Sequence, residues 1–355
     1  MTDIQIHDGV VTHPRIPILL ISGFLGSGKT TMVNRLLADP ALSRTLVLIN
    51  EFGQVSIDTD LIKRGDETMV ELSNGCVCCT LIEDLGTTLH GFIERSARGE
   101  LPPFDRVLIE TTGLANAGPI IRVIMEDERV RPVYQLDKVI TTVDAVLGMK
   151  NLDLHAESVE QVALADRLVL TKLDRVSDAS ALKALRERLY RLNQGATVLE
   201  ADHGVVDLDA LLHGRVVHDV LVSPEDEHAH HCSNPHCGHH YHEHDHYDHN
   251  PVSAHAGRHD SHITSVCLVR DDPLPRSTLD AFWKRLTDLS SPNLLRVKGL
   301  VNVVESPETP VVVQGVQQVF DDAEALPAWP SDDRRTRIVF IGWNLDHAML
   351  DGLLQ

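Results

Sequence analysis

The sequence predicts an α/β fold: a P-loop parallel sheet with helices on both faces, followed by a smaller C-terminal α+β domain. Three observations predict it. Short apolar runs alternate with helical patterns over the first 220 residues, the order of a parallel sheet covered on both sides. A Gly-rich turn stands directly between the first apolar run and the first helix. A polar tract then separates this part from about 90 residues that read β-α-β-β-β-α.

In the first part, Ile16 to Ile21 is an apolar run broken only by Pro17, as expected of a buried strand. A helix from about Thr30 to Ala38 follows the Gly-rich turn, then strands at Leu46 to Ile49, Val107 to Ile109, Val139 to Val143 and Leu168 to Leu170. Leu182, Leu185, Leu189 and Leu192 share one helix face. From Pro224 to about Ser261 periodicity vanishes, and His, Asp, Glu, Asn and Pro dominate. Such a tract buries too little apolar surface to offset its ordering entropy, and metal-free it is expected to be a disordered linker. An engineered tag is the alternative, but the tract is internal and interrupted. Order returns with a strand from Ile263 to Val269 and a helix capped by Ser277, its apolar face Leu279, Phe282, Trp283, Leu286 and Leu289. Strands at Leu294 to Val304, Pro310 to Phe320 and Arg337 to Ile341 and a helix from Leu345 to Leu354 complete the pattern. The expected division is a tail at 1–14, a nucleotide domain at 15–223, the His-rich linker at 224–261 and the second domain at 262–355.

Composition narrows the function. The net charge of −20 argues against nucleic acid and against anionic membranes, since both are bound by clustered Lys and Arg. No apolar run approaches the roughly 20 residues of a membrane helix, and the polar Met1 to His13 lacks the features of a signal peptide. A cytoplasmic protein is expected. Thirteen of the 21 His lie between His228 and His262. Cys76, Cys78 and Cys79 are clustered, Cys232 and Cys237 sit in the His-rich tract, and Cys267 stands alone. In a reducing compartment such clusters point first to metal.

Gly23-Phe24-Leu25-Gly26-Ser27-Gly28-Lys29-Thr30 fits G-x-x-x-x-G-K-[ST] between a strand and a helix. Gly23, Gly26 and Gly28 let successive N–H groups face one anion, Ser27 and Thr31 belong to the same cradle, and the helix N-terminus adds its dipole. Lys29 is placed to reach the β- and γ-phosphates, and Thr30 to offer a hydroxyl to Mg2+. The strand Arg106 to Ile109 ends in Glu110, a position that holds or orients Mg2+ and its water in P-loop proteins. Gly113, three residues on, could sense the γ-phosphate through its N–H. Thr171-Lys172-Leu173-Asp174 follows another strand. One carboxylate can accept both N1–H and the 2-amino group of guanine, so Asp174 reads as the base reader, with the Lys172 stem covering the base face. Thr171 stands where GTP-binding proteins usually have Asn. The pattern favours GTP over ATP.

Cys76, Cys78 and Cys79 place three thiols within four residues. Thiolates are soft ligands for Zn2+, Cu+ and related ions, and three of them leave a fourth position open, which suits transfer. Small buried hydrophobes or a redox pair are the other readings. Asn50-Glu51-Phe52-Gly53 is the expected mobile loop, with Glu51 and Asp58 as carboxylates near either ion, or simply a solvated acidic loop. Weaker metal sites are expected in the linker from His228, His230, His231, Cys232, His236, Cys237, His239, His240, His242, His244, His246 and His249.

These residues together, with Glu110-Thr111-Thr112-Gly113, Lys298-Gly299 and Gln314-Gly315-Val316-Gln317 in the second domain, resemble the CobW-type metallochaperone GTPases of the SIMIBI class. The resemblance spans nearly the whole chain apart from its first dozen residues and the linker, and Cys-x-Cys-Cys beside a P-loop is a specific feature. It implies slow GTP hydrolysis with Mg2+, metal held at Cys76, Cys78 and Cys79, and delivery to an apo-metalloprotein client. Thr171 in place of Asn also occurs in the family. Members differ in metal: zinc in one branch, cobalt for cobalamin synthesis, cobalt or iron for nitrile hydratase. Three thiolates with a His-rich reservoir favour Zn2+ over Co2+. The alternatives are a cobalt, iron or nickel insertion GTPase and a His-rich metal buffer; a homodimer stays open.

Overall fold

The computed structural model describes residues 5–7, 10–12, 15–49, 69–71, 80–212, 263–288, 293–317, 319–320 and 324–354. A short hairpin of β1 (Gln5–His7) and β2 (Val10–Thr12) comes first. The first domain then runs β3 (Ile16–Gly23), α1 (Lys29–Leu37), β4 (Thr45–Ile49), β5 (Met69–Glu71), α2 (Thr80–Ala97), β6 (Arg106–Glu110) and α3 (Gly118–Glu126). It continues through β7 (Tyr134–Asp144), α4 (Gly148–Leu154), α5 (Ala156–Leu164), β8 (Arg167–Thr171), α6 (Ala179–Leu192), β9 (Thr197–Glu200) and α7 (Leu208–Leu212).

The strands form one seven-stranded sheet in the order β5-β4-β6-β3-β7-β8-β9, every pair parallel. Alternation along β3 divides the core. Ile18 and Leu20 pack with α2, α3, α5 and α6 on one face, whereas Leu19 and Ile21 pack with Met32, Val33 and Leu36 of α1 on the other. Both faces are therefore buried, which explains the near-continuous apolar strands. The central strand β3 lies between β6 and β7, so the carboxyl ends of β3, β6, β7 and β8 share one edge, where ligands of open parallel sheets bind.

The second domain contains β10 (Ile263–Arg270), α8 (Arg276–Asp288), β11 (Leu294–Val301), β12 (Val311–Val316), β13 (Val319–Phe320), β14 (Glu324–Ala325), β15 (Thr336–Trp343) and α9 (His347–Leu353). Its sheet is antiparallel, in the order β10-β15-β11-β12-β13, with β14 against β12. One face carries Leu279, Phe282 and Leu286 of α8 and Leu350 and Leu353 of α9. The other face, through Leu295, Val316, Val339 and Ile341, joins the core of the first domain.

Three details of the second domain differ from expectation. Ser277 is not the helix cap: α8 already begins at Arg276, whose N–H donates to Glu305 at 2.9 Å, so a distant carboxylate serves the helix end. The strand expected to reach Val304 stops at Val301, because Asn302 and Val304 bond instead to Leu274. The strand expected from Pro310 to Phe320 is split at Gln317, which takes φ of 54° and donates its N–H to Leu295 O at 2.9 Å.

The interface between the domains holds a buried charge cluster. Asp166, just after α5, accepts from Val139 N at 2.7 Å and receives both Arg296 and Lys298 of β11. Arg296 also donates to Leu164 O at 3.0 Å. Burial alone would raise the Asp166 carboxyl, but the Arg296 and Lys298 charges outweigh it and hold it down at about 2. Burial brings the Lys298 ammonium down to about 7, with the Arg296 charge pushing the same way against the pull of Asp166.

Candidate nucleotide site

The loop after β3 closes onto the start of α1. Gly28, the residue before the helix, takes φ of 97°, a left-handed conformation that a side chain would resist. Its carbonyl accepts from Met32 N at 3.0 Å, which opens the helix at Lys29. Lys29 is buried, with its ammonium on Gly23 O at 2.8 Å and Phe24 O at 3.3 Å. Thr30 donates its hydroxyl to Glu110 Oε1 at 2.8 Å. Because Glu110 sits opposite Ile21 in the β3–β6 register, the sheet itself delivers this carboxylate to the loop. The Thr111 and Thr112 hydroxyls beside it are buried without a hydrogen-bond partner among the described residues. Hard oxygen donors at the mouth of a phosphate-type loop fit a magnesium ion.

Gly113 rests on the loop. A Cβ at this position would lie 2.5 Å from Leu25 Cα and 2.7 Å from Leu25 N, so the backbones approach closer than any side chain permits. On the opposite side, Ser27 Oγ meets Thr142 Oγ1 at 2.6 Å. Thr171, in place of the usual Asn, donates to Ser27 O at 2.7 Å and so ties β8 to the loop. Lys172, with φ of 58°, sets its ammonium between Gly26 O and Asp144 Oδ2, each at 2.6 Å. Asp174 lies exposed beyond it. A tight turn at Asp202–Val205 packs against Thr31 and Arg35 of α1. In that turn a hydrogen bond with Asp202 raises the His203 imidazole above its usual range, and the charges of Asp202 and Asp174 add to it.

The structure brings Gly23, Gly26, Ser27, Gly28, Lys29, Thr30, Thr31, Glu110, Gly113, Thr171, Lys172 and Asp174 to one end of the parallel sheet. Asn50, Glu51, Phe52, Gly53, Asp58, Cys76, Cys78, Cys79 and the linker residues His228 to His249 lie outside the described residues. Among the described residues no group of three or more His, Cys, Asp or Glu could hold a metal ion, and no helix is long and apolar enough to cross a membrane. Sequence reading missed Asp144 and Gln161. Asp144 caps Val146 N and Leu147 N at 2.8 and 3.0 Å while holding Lys172. It ends the apolar strand β7 in a carboxylate, the same signal that marked Glu110. Gln161, in the middle of α5, carried no such signal.

Comparison with known proteins gives the same two-part organisation. Residues 17–200 match the CobW/HypB/UreG nucleotide-binding domain, and residues 263–355 match the cobalamin synthesis protein cobW C-terminal domain. The chain is 31% identical over 332 residues to the zinc chaperone YjiA of Escherichia coli (strain K12), covering 93% of this chain and 95% of the relative. It is 32% identical over 227 residues to the zinc-regulated GTPase metalloprotein activator 1 of Schizosaccharomyces pombe, covering 59% of this chain and 53% of the relative. The crystal structure of Zn(II)-bound YjiA GTPase from E. coli superposes with a TM-score of 0.65 at 26% identity, covering 96% of this chain and 98% of that one. With both of its domains matched, this chain belongs to the CobW family of P-loop nucleotide-binding proteins.

Proposed function

We propose that this chain is a GTP-hydrolysing metallochaperone that binds Zn2+ at Cys76, Cys78 and Cys79 and passes it to an apo-metalloprotein. The meeting of Lys29, Thr30 and Glu110 at the mouth of the loop carries the hydrolytic half of this reading. Lys29, with the loop N–H groups, binds the phosphates. Thr30 and Glu110 hold Mg2+, and the Gly113 segment rests where it can follow the γ-phosphate. A magnesium ion in that place would offset charge building on the transferred phosphoryl oxygens. Asp174 accepts from the guanine edge and the Lys172 stem covers the base. The zinc half is supported by likeness to relatives named as zinc chaperones, of which the YjiA match covers 93% of the chain. Thiolates also suit zinc, and an incomplete shell of three suits its release. The division into 15–223, 224–261 and 262–355 goes with this reading, the His tract serving as a reservoir of weaker sites.

Two titrations on the full chain test the proposal. Lys29→Ala should weaken binding of a fluorescent GTP analogue by roughly ten- to a hundredfold, the value of a charged hydrogen bond. Replacing Cys76, Cys78 and Cys79 with Ser should abolish about one tight Zn2+ site while the His tract keeps its weaker ones. Wild-type nucleotide affinity in the first variant, or an unchanged tightest zinc site in the second, sinks the corresponding half.

A further inference from the structure

We infer that Gln161 is a positioning residue for nucleotide hydrolysis: its carboxamide tethers the loop after β6 so that Gly113 stays seated on the P-loop. Gln161 is 2% exposed on α5. Its Nε2 donates to Gly113 O at 3.3 Å and to Ala115 O at 3.1 Å. A single amide thus grips two carbonyls of one turn, which also closes on itself through Ala115 N to Thr112 O at 3.1 Å. The grip has a fixed base, since Thr141, within β7, donates its hydroxyl to Gln161 O at 2.9 Å. Next to it, Glu160 Oε2 accepts from Asn116 Nδ2 at 3.0 Å and holds the far side of the same segment.

The geometry of the peptide group turns this tether into an orientation. In a trans peptide the C=O and the following N–H point in opposite directions. Drawing Gly113 O toward α5 therefore aims the N–H of Leu114 away from α5. On its other side Gly113 is pressed against the Leu25 backbone. The segment is held from behind by Gln161 and rests in front on the phosphate loop. Among the described residues Gln161 makes no hydrogen bond to the loop from Gly23 to Thr30; it acts through Gly113 and Ala115. It also lines, with Ser27, Thr142 and Asp144, a small cavity behind the P-loop. Its Oε1 has no hydrogen-bond partner among the described residues, and its Nε2 is held by the two carbonyls of the loop after β6.

The inference rests on the GTPase reading above for its kinetic consequence, but the tether itself does not. The test uses the full chain, Gln161→Met (similar length, no donor) and Gln161→Leu (similar size, no donor). With GTP and Mg2+, both variants should lose roughly tenfold or more in kcat, since two hydrogen bonds of about ordinary strength are removed from the catalytic geometry. KM for GTP and the affinity for GDP should stay within about twofold, because the P-loop contacts are intact. In nucleotide-free protein, hydrogen exchange of the 111–118 amides should quicken in both variants relative to wild type, with the melting temperature nearly unchanged. Unchanged kcat together with unchanged exchange overturns the role of Gln161. So does a parallel fall in GDP affinity and melting temperature, which marks a purely structural residue. Wild type that shows no GTP turnover overturns the GTPase reading instead, and the exchange experiment then still decides the tether.

Discussion

The nucleotide edge and the domain interface each bring two cations onto oxygen atoms, but the partners differ. At the nucleotide edge, Lys29 rests on the neutral carbonyls of Gly23 and Phe24, and Lys172 bridges Gly26 O and Asp144. At the interface, Arg296 and Lys298 converge on the single carboxylate of Asp166, all three buried. A carbonyl dipole offers an ammonium only a modest hold, which an arriving phosphate can exceed. A carboxylate removed from water leaves its partners no better alternative. The Lys29 contact is therefore built for exchange, whereas the Asp166 cluster, like the Lys172–Asp144 pair, is a lasting joint.

Four experiments break or sharpen that contrast. The largest effect is expected from Asp166→Ala, which leaves Arg296 and Lys298 buried with no counter-charge. It should cost roughly 3–5 kcal/mol in urea unfolding, whereas Lys29→Ala should leave the unfolding midpoint almost in place. Next comes pH. The folded Asp166 carboxyl lies at about 2, below the ~3.9 of an unfolded Asp. Its contribution of about 2 kcal/mol is present above pH ~4 and lost as pH falls toward 2. Lys298 has the same sign in a higher range: its folded value of about 7 lies below the unfolded ~10.4, so stability should also rise as pH climbs from about 7 toward ~10. Unfolding midpoints across pH that are flat in both ranges would remove the joint from the account.

Gly113→Ala should follow, with about 1–3 kcal/mol of strain from the overlap with the Leu25 backbone. Nucleotide binding should suffer more than global stability, and paired calorimetric and binding measurements separate the two. The smallest effect is Asp174→Asn. Losing one acceptor for guanine should shrink the preference for GTP over ATP by roughly tenfold, about 1.4 kcal/mol, in competition titrations. An unchanged ratio removes Asp174 from base recognition.

The fold was legible where period and composition agree. The apolar runs at Ile16 and Val107 marked strands buried on both faces, and the Leu spacing from Leu182 marked a helix face. The loop from Gly23 to Thr30 was legible because the physics of anion binding fixes its residue types. Three kinds of feature escaped. Ser277 looked like a cap because the competing carboxylate, Glu305, lies 29 positions away from Arg276, beyond any local pattern. The second strand of the C-terminal domain was read too long because Leu274 draws Val304 out of the sheet. Gln161 sits mid-helix with an amide whose targets are main-chain carbonyls 46 and 48 positions earlier, and no sequence spacing encodes such a contact. Asp144 could have been found, since a carboxylate at the end of an apolar strand had already singled out Glu110.

The Asp166 joint also has a consequence for how the chain is made. Asp166 and Arg296 are 130 positions apart. At about 5–20 residues per second of synthesis, the carboxylate leaves the ribosome roughly 6–26 seconds before its guanidinium partner. Through that interval water must solvate Asp166, and the face of the first domain that later meets Leu295 and Val339 stays uncovered. The nascent nucleotide domain therefore passes through a period with an apolar surface and an unmatched charge side by side; β11 brings the counter-charges, and β12 and β15 complete the cover.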